Sequence, residues 1–197
     1  KAVDPVNFMG KSKRLGEIIT GSFNLISANS NKYCSVRFGN VIGSSGSLIP
    51  KIQSQINNNE QITVTDKSAT RYFMTISDAI NLTLQSIDLT DEGEIFVLNM
   101  GQPINIYNLV AKIIQNFRRK NLMNNIKITG LRKGEKLHEK LYYEHISKPS
   151  KNKLFFIEKI EKYLTENEIN DLKNDLSKSL EQDNLKFINK IFDTLKN

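Results

Sequence analysis

Met9 and Lys13 stand four residues apart, so a helix through them presents both side chains on one face, one turn from each other. A lysine so placed can hold hydroxyl groups by its charge and depress the proton affinity of its neighbours. Methionine cannot move a proton, and the same pair also suits an ordinary amphipathic helix with Met9 as core filler and Lys11, Lys13 and Arg14 in solvent. Lys1 precedes Met9 by two turns' worth of chain; a lysine acts as a base near neutral pH once desolvation lowers its pKa. Much later come Arg71 and Arg132, on separate segments. Two such guanidiniums can clamp a diphosphate through forked, charge-assisted bonds, or they can simply form exposed salt bridges. Glu135, three residues after Arg132, can accept hydrogen bonds from hydroxyls.

These residues need a scaffold, and the pattern supplies one. Residues 5–27 read as a helix, with Pro5 in its first turn and a stripe of Phe8, Leu15, Ile18, Ile19 and Phe23. Residues 32–38 read as a buried strand. The Gly/Ser-rich segment from Asn40 to Ser47 follows at its carboxyl end, where open α/β sheets bind ligands. Ser47 is placed to cap a helix over about 48–57. Short strands are expected at 62–65 and 72–75, a helix from Ser77-Asp78 to about Ser86, and a strand at 94–99. A helix over 104–117, a strand at 126–129 and a helix over 134–143 complete the series. Ser147 to Ser150 reads as a linker. Thr165-x-x-Glu168 is a capping box for a helix carrying Ile169, Leu172 and Leu176, and Asp183 suits the cap of a last helix through Leu185, Phe187, Ile188, Ile191, Phe192 and Leu195. Alternating strands and helices favour an α/β fold with a mainly parallel sheet.

Composition excludes several classes. The chain has 197 residues, 39% hydrophobic, with no Trp and four Pro, which is enough for a core. Its formal charge of +7 is spread out; Arg118-Arg119-Lys120 is the only three-residue basic run, and no zinc-finger spacing or aromatic-basic repeat points to nucleic acid. A single cysteine, Cys34, cannot close a disulfide within the chain, which suits a reducing compartment and a buried strand thiol. His138 and His145 are too few for a metal site. No apolar run approaches 20 residues and nothing reads as a signal peptide, so no membrane span is expected in this chain.

A longer series of segments now bears on function: Met9-x-x-x-Lys13; Arg37-Phe38-Gly39-Asn40-Val41-Ile42-Gly43; Ser47-Leu48-Ile49-Pro50; Thr63-Val64-Thr65; Thr70-Arg71-Tyr72-Phe73-Met74-Thr75; and Gly130-Leu131-Arg132-Lys133-Gly134-Glu135-Lys136. In this order and spacing they resemble the extended short-chain dehydrogenase/reductases. More narrowly, they resemble the bacterial nucleotide-sugar 4,6-dehydratases of the polysaccharide-biosynthesis (CapD-like) family, which act on UDP-N-acetylglucosamine. The resemblance runs from Lys1 to about Lys148 and more loosely beyond.

The resemblance implies an NAD-binding Rossmann-like sheet with an interleaved nucleotide-sugar-binding lobe over 1–148, and a helical extension over 149–197. It implies a reaction in which C4 of the sugar is oxidised, water is lost across C5 and C6, and C6 is reduced, with NAD as cofactor (NADP as the alternative). Lys13 would hold the nicotinamide ribose. Met9 occupies the place of the tyrosine that usually moves the C4 proton, so another base or a water relay would take that proton. Lys1 matches the lysine that serves the elimination. Val41 would meet the nicotinamide amide and Asn40 the substrate phosphate. Ser47 and Leu48 would open a helix beside the nucleotide, Thr65 and Arg71 would belong to the substrate segment, and Arg132 and Glu135 would form the distal pair, Glu135 at the ribose hydroxyls. Lys133 departs from the family's usual proline and loosens that turn.

The chain contains no G-x-G-x-x-G turn, so the phosphate cradle of a dinucleotide fold is expected upstream, in a longer parent. The implied partners are a UDP-sugar and further copies of the parent, in the cytoplasm or at the cytoplasmic face of the inner membrane. Two other readings stay open: an epimerase of the same superfamily, against which Met9 argues, and a non-catalytic UDP-binding or interaction module.

Overall fold

The computed structural model describes residues 1–27, 31–44, 46–117, 126–143, 147–150, 154–181, 189–190 and 192. Its elements, in chain order, are α1 (Phe8–Ile26), β1 (Ser35–Arg37), β2 (Asn40–Val41), α2 (Leu48–Asn57), β3 (Ile62–Val64), β4 (Thr70–Arg71), β5 (Phe73–Met74), α3 (Ile76–Leu89), β6 (Ile95–Leu98), β7 (Ile104–Asn105), α4 (Ile106–Asn116), β8 (Ile126–Ile128), β9 (Ser147–Pro149), β10 (Phe155–Glu158) and α5 (Glu166–Glu181). The fold is α/β, and the chain divides into two compact units. One comprises residues 1–37, 84–99 and 140–197; the other comprises 38–83 and 100–139.

The first unit is built on a four-stranded sheet in the order β1-β6-β10-β9. β1 and β6 run parallel, Val36 opposite Phe96, while β10 lies antiparallel to both β6 and β9. The mainly parallel sheet expected from the sequence is therefore mixed here. The reason is local: Leu154-Phe155-Phe156-Ile157 is a short apolar run that enters the sheet as a strand, so the segment expected as a helical extension begins with β10. The expected linker at 147–150 likewise pairs as β9. All four residues of β6 are buried, as a strand covered on both faces must be. Phe96 meets Phe155 edge to face at 5.6 Å.

α1 starts at Phe8, three residues after the start expected at Pro5. Asp4 adopts φ +43°, which no helix tolerates, and Asn7 then caps the helix by accepting from the Gly10 N–H at 2.8 Å. At its other end Ser22 is wholly buried: its hydroxyl donates to the Ile18 carbonyl at 2.7 Å and accepts from the Leu164 N–H at 2.8 Å. The capping box at α5 forms as expected. Glu168 accepts from the Thr165 N–H and hydroxyl at 2.8 and 2.9 Å, and Thr165 Oγ1 accepts from the Glu168 N–H at 3.3 Å. Of the last expected helix, Asp183, Leu185, Phe187, Ile188, Ile191 and Leu195 lie outside the described residues. Phe192 is described and packs on Leu15, Ile19, Leu172 and Leu176, with its ring 5.2 Å from that of Phe8. Cys34 is part-buried just before β1, its thiol 3.8 Å from Ser86 Oγ.

The second unit packs α2 and α4 together with β3. Ile52, Ile56, Ile62, Val64, Ala69, Ile106, Val110 and Ile114 form its core. β2 pairs parallel with β5, β3 parallel with β8, and β4 antiparallel with β7. The helix expected over 134–143 does not form. The carbonyls of Lys136 and Leu137 are taken by Arg71 and by the Thr70 N–H, so they cannot close helical hydrogen bonds. Among the described residues no helix is long and apolar enough to cross a membrane, and no three His, Cys, Asp or Glu side chains gather as metal ligands. His138 instead meets Thr70 Oγ1 through Nδ1 at 2.9 Å; His145 and Arg118-Arg119-Lys120 lie outside the described residues.

Candidate active site

In the first unit, α1 carries Met9 and Lys13. Met9 is 49% exposed, so it is not core filler, and Lys13 is exposed one turn further on. No described residue forms an ion pair with the Lys13 ammonium. The segment leading to α1 lies close against it. Ala2 and Val3 are buried, and a Cβ at Gly10 would stand only 2.7 Å from the Lys1 carbonyl oxygen. Glycine at position 10 therefore lets the Lys1 backbone touch the helix within its first turn.

The same helix is anchored from behind by a buried ionic cluster that sequence reading missed. Arg37 donates to both oxygens of Glu17 on α1 (2.6 and 2.7 Å) and to both oxygens of Glu158 on β10 (2.9 and 3.1 Å). Arg14 adds contacts to Glu17 at 3.1 Å and Glu158 at 3.6 Å. Burial works against the Arg37 charge, but the hydrogen bonds and charges of Glu17 and Glu158 more than offset it, so its pKa lies above the ordinary value. The i, i+3 spacing of Arg14 and Glu17 was visible in the sequence; their partners are distant along the chain.

In the second unit, Asn40, Val41, Ser47 and Leu48 line one hollow of about 360 Å³, with Ile49 and Phe73 among its walls. The Asn40 N–H donates to the Tyr72 carbonyl at 2.7 Å. Gly39 makes that approach feasible, because a Cβ there would lie 2.5 Å from the Tyr72 oxygen. Ser47 sits at the N-cap position of α2 but makes no capping bond, contrary to expectation. Its hydroxyl is buried, with no partner among the described residues. A buried donor of this kind is costly unless something arrives to satisfy it.

Thr65, Arg71, Arg132 and Glu135 come together in the same unit. Glu135 Oε1 accepts from Thr65 Oγ1 at 3.2 Å and from Arg71 Nη2 at 3.3 Å, while Oε2 accepts from the Arg132 N–H at 3.1 Å. Gly134 at φ +77° completes the turn, so Lys133 is accommodated where the family has proline. The two arginines differ. Arg132 is exposed, and no described residue engages its guanidinium. Arg71 is mostly buried: it donates to the carbonyls of Thr70, Lys136 and Leu137 at 2.7–3.0 Å and reaches Glu139 at 3.7 Å. Its donors hold the 135–139 segment in place. Glu139 was missed from the sequence: its four-residue spacing from Glu135 is a signal only on a helix, and its contact with Arg71 joins segments 68 residues apart.

The scaffold is that of the Rossmann-like short-chain dehydrogenase/reductase epimerases and dehydratases. The chain belongs to the polysaccharide biosynthesis protein family, whose pattern matches residues 1–160. It is 44% identical over 141 residues to the capsular polysaccharide biosynthesis protein CapD of Staphylococcus aureus, covering 72% of this chain and 23% of that protein. A UDP-glucose 4-epimerase of Rickettsia canadensis is 38% identical over 143 residues, with 72% of this chain and 40% of that protein covered. Among solved structures, Pen from Bacillus thuringiensis superposes with a TM-score of 0.72 at 33% identity, covering 81% of this chain and 50% of that one. The chain thus spans half or less of the length of each.

For a nicotinamide cofactor, which this fold class implies, each unit by itself supplies a fitting group: in the first, Lys13 offers an exposed ammonium with no ion-pair partner among the described residues; in the second, Val41 lines the hollow beside Asn40. The glycine-rich turn that would hold the pyrophosphate is not in the sequence.

Proposed function

We propose that this chain is the sugar-binding part of a UDP-N-acetylglucosamine 4,6-dehydratase that makes a UDP-4-keto-6-deoxy sugar for a surface polysaccharide or glycan. One observation carries the reading: at the exposed start of α1, one turn before Lys13, stands Met9 rather than a proton-moving tyrosine. When bound, NAD would accept hydride from C4 and return it to C6. Lys13 holds the ribose hydroxyls at the nicotinamide end, and the Val41 backbone meets the carboxamide. Met9 leaves the C4 hydroxyl proton to another base or to water. Once C4 is a ketone the C5 proton is acidic, and Lys1 serves its removal and the loss of water from C6.

The nucleotide lies on the second unit's residues. Asn40 and the Ser47–Leu48 end of α2 face the phosphates, which would satisfy the orphaned Ser47 hydroxyl. Arg132 is ready to pair with the diphosphate. Arg71 joins the clamp only by giving up its Glu135 contact. Thr65 and Glu135 hold the turn and offer acceptors to the ribose. The enzyme would work in the cytoplasm or at the inner membrane's cytoplasmic face, as a homo-oligomer.

A 4-epimerase is the second reading, favoured by the Rickettsia relative. Incubating the full-length enzyme with UDP-N-acetylglucosamine and NAD separates the two. A 4-keto-6-deoxy product supports dehydration; UDP-N-acetylgalactosamine replaces that reading with epimerisation. For a non-catalytic module, titrating the 197-residue chain with NAD and with UDP is decisive. Weak or absent NAD binding is expected, and tight binding overturns the view that the cradle lies elsewhere.

A further inference from the structure

We propose that Tyr143 is a positioning residue for the elimination half of the reaction: its hydroxyl pins the Lys1–Pro5 segment against α1. The inference rests on the dehydratase reading, in which Lys1 serves the elimination. The geometry is independent of it. The Asp4 N–H donates to the Tyr143 hydroxyl oxygen at 2.9 Å, across 139 residues of sequence. Asp4 is one of two described non-glycine residues with positive φ, at +43°, so the bend it makes needs an outside hold. On the far side, the Tyr143 N–H donates to Glu158 Oε2 at 3.4 Å, and Glu158 is the wholly buried carboxylate gripped by Arg37. Tyr142 next to it stacks on Phe156 at 4.4 Å, which further fixes this stretch of backbone to β10. Rigid supports thus run from the sheet through Tyr143 to the Asp4 bend.

The other side of the segment is set by Gly10. Its missing side chain lets the Lys1 carbonyl and Pro5 sit where a Cβ would approach to 2.7 and 3.1 Å. The two contacts work in opposition: Tyr143 fixes the bend at Asp4, and Gly10 fixes how close the segment comes to the turn bearing Met9. Neither residue needs to touch the sugar. Together they set the distance between the Lys1 backbone and the Met9–Lys13 face, on which removal of the C5 proton depends. Oxidation at C4 draws on Lys13 alone among these groups, so it is indifferent to the pin.

The test uses the full-length enzyme with Tyr143→Phe, which keeps the ring and removes the acceptor. Hydrogen exchange in the peptide spanning residues 1–9 should quicken about fivefold, the factor one ordinary hydrogen bond confers, and elsewhere stay unchanged. In a single turnover with UDP-N-acetylglucosamine, reduced nicotinamide should form at the wild-type rate and disappear about fivefold more slowly, with KM unaltered. Gly10→Ala should give the same selective delay from the opposite side. Unchanged exchange in Tyr143→Phe, or equal slowing of both phases, overturns the proposal. If wild-type enzyme itself forms neither reduced nicotinamide nor a keto sugar, the dehydratase reading falls, and the exchange measurement alone decides whether the pin exists.

Discussion

Replacing Arg37 with methionine tests whether the ionic cluster behind α1 is as dry as its geometry says. Wild type balances two guanidiniums, Arg14 and Arg37, against two carboxylates, Glu17 and Glu158. Arg37 is 8% exposed and Glu158 not at all. Arg37→Met removes four close contacts and leaves two carboxylates facing a single cation. Breaking a buried pair from one side costs about 3–5 kcal/mol, because the surviving charge stays desolvated. Loss of the 3.2 Å bond to the Leu141 carbonyl adds about 1 kcal/mol. A total near 5 kcal/mol is a large fraction of the roughly 5–15 kcal/mol of a typical domain and lowers Tm by about 10–20 °C. Urea unfolding monitored by tyrosine fluorescence or circular dichroism measures it. A loss under about 1 kcal/mol, the worth of a solvent-exposed pair, would mean that water reaches the cluster. The double replacement Arg37→Met with Glu158→Leu removes one charge of each sign and should lose less than the single one. A double variant no better than Arg37→Met would show that shape, rather than the stranded charge, sets the cost.

Three further outcomes are expected. Glu94 is partly buried, which pushes its carboxyl up, but the N–H groups of Asp91, Glu92 and Glu94 itself and the Thr90 hydroxyl outweigh this, so its pKa lies below the ordinary 4.5. With the folded value depressed, its contribution is present above about 4.5 and is lost as pH falls through the folded value. Glu94→Gln should therefore be less stable than wild type at neutral pH and converge with it in acid; a constant offset across pH contradicts this. Gly39→Ala drives a methyl to within 2.5 Å of the Tyr72 carbonyl, a backbone atom that cannot step aside. It should cost about 1–3 kcal/mol in thermal unfolding and displace β2 from β5, and a neutral result would mean that the pairing is looser than described. Met9→Tyr in the full-length enzyme should leave the rate of C4 oxidation unimproved, because another group already takes the proton; a large gain, read as faster formation of reduced nicotinamide, shows methionine to be merely tolerated.

Much of the scaffold was legible because its signals are local. α2 begins and ends where the apolar spacing from Leu48 places it, and the capping box at Thr165 needs only four residues to identify itself. The misses were non-local. β10 is too short to announce itself by alternation, and it exists because β6 offers it an edge. The expected helix over 134–143 has acceptable propensity, yet Arg71, more than sixty residues earlier, takes its carbonyls. For the candidate site, residue types and order named Met9, Lys13, Asn40, Arg71, Arg132 and Glu135. They could not say that Arg71 spends its donors inside the protein while Arg132 does not.

By itself, then, the sequence determined which residues could do chemistry, the α/β alternation that carries them, and the family whose motifs they match. Each of these is written in residue type and in spacings of a few positions. It took the packing of distant segments to join Glu17 to Glu158 through Arg37, to bring Tyr143 to Asp4, and to set the Lys1 backbone against Gly10. Those contacts join segments up to 139 residues apart. Their partners are chosen by which chain segments the sheet brings side by side, and no local pattern records that choice.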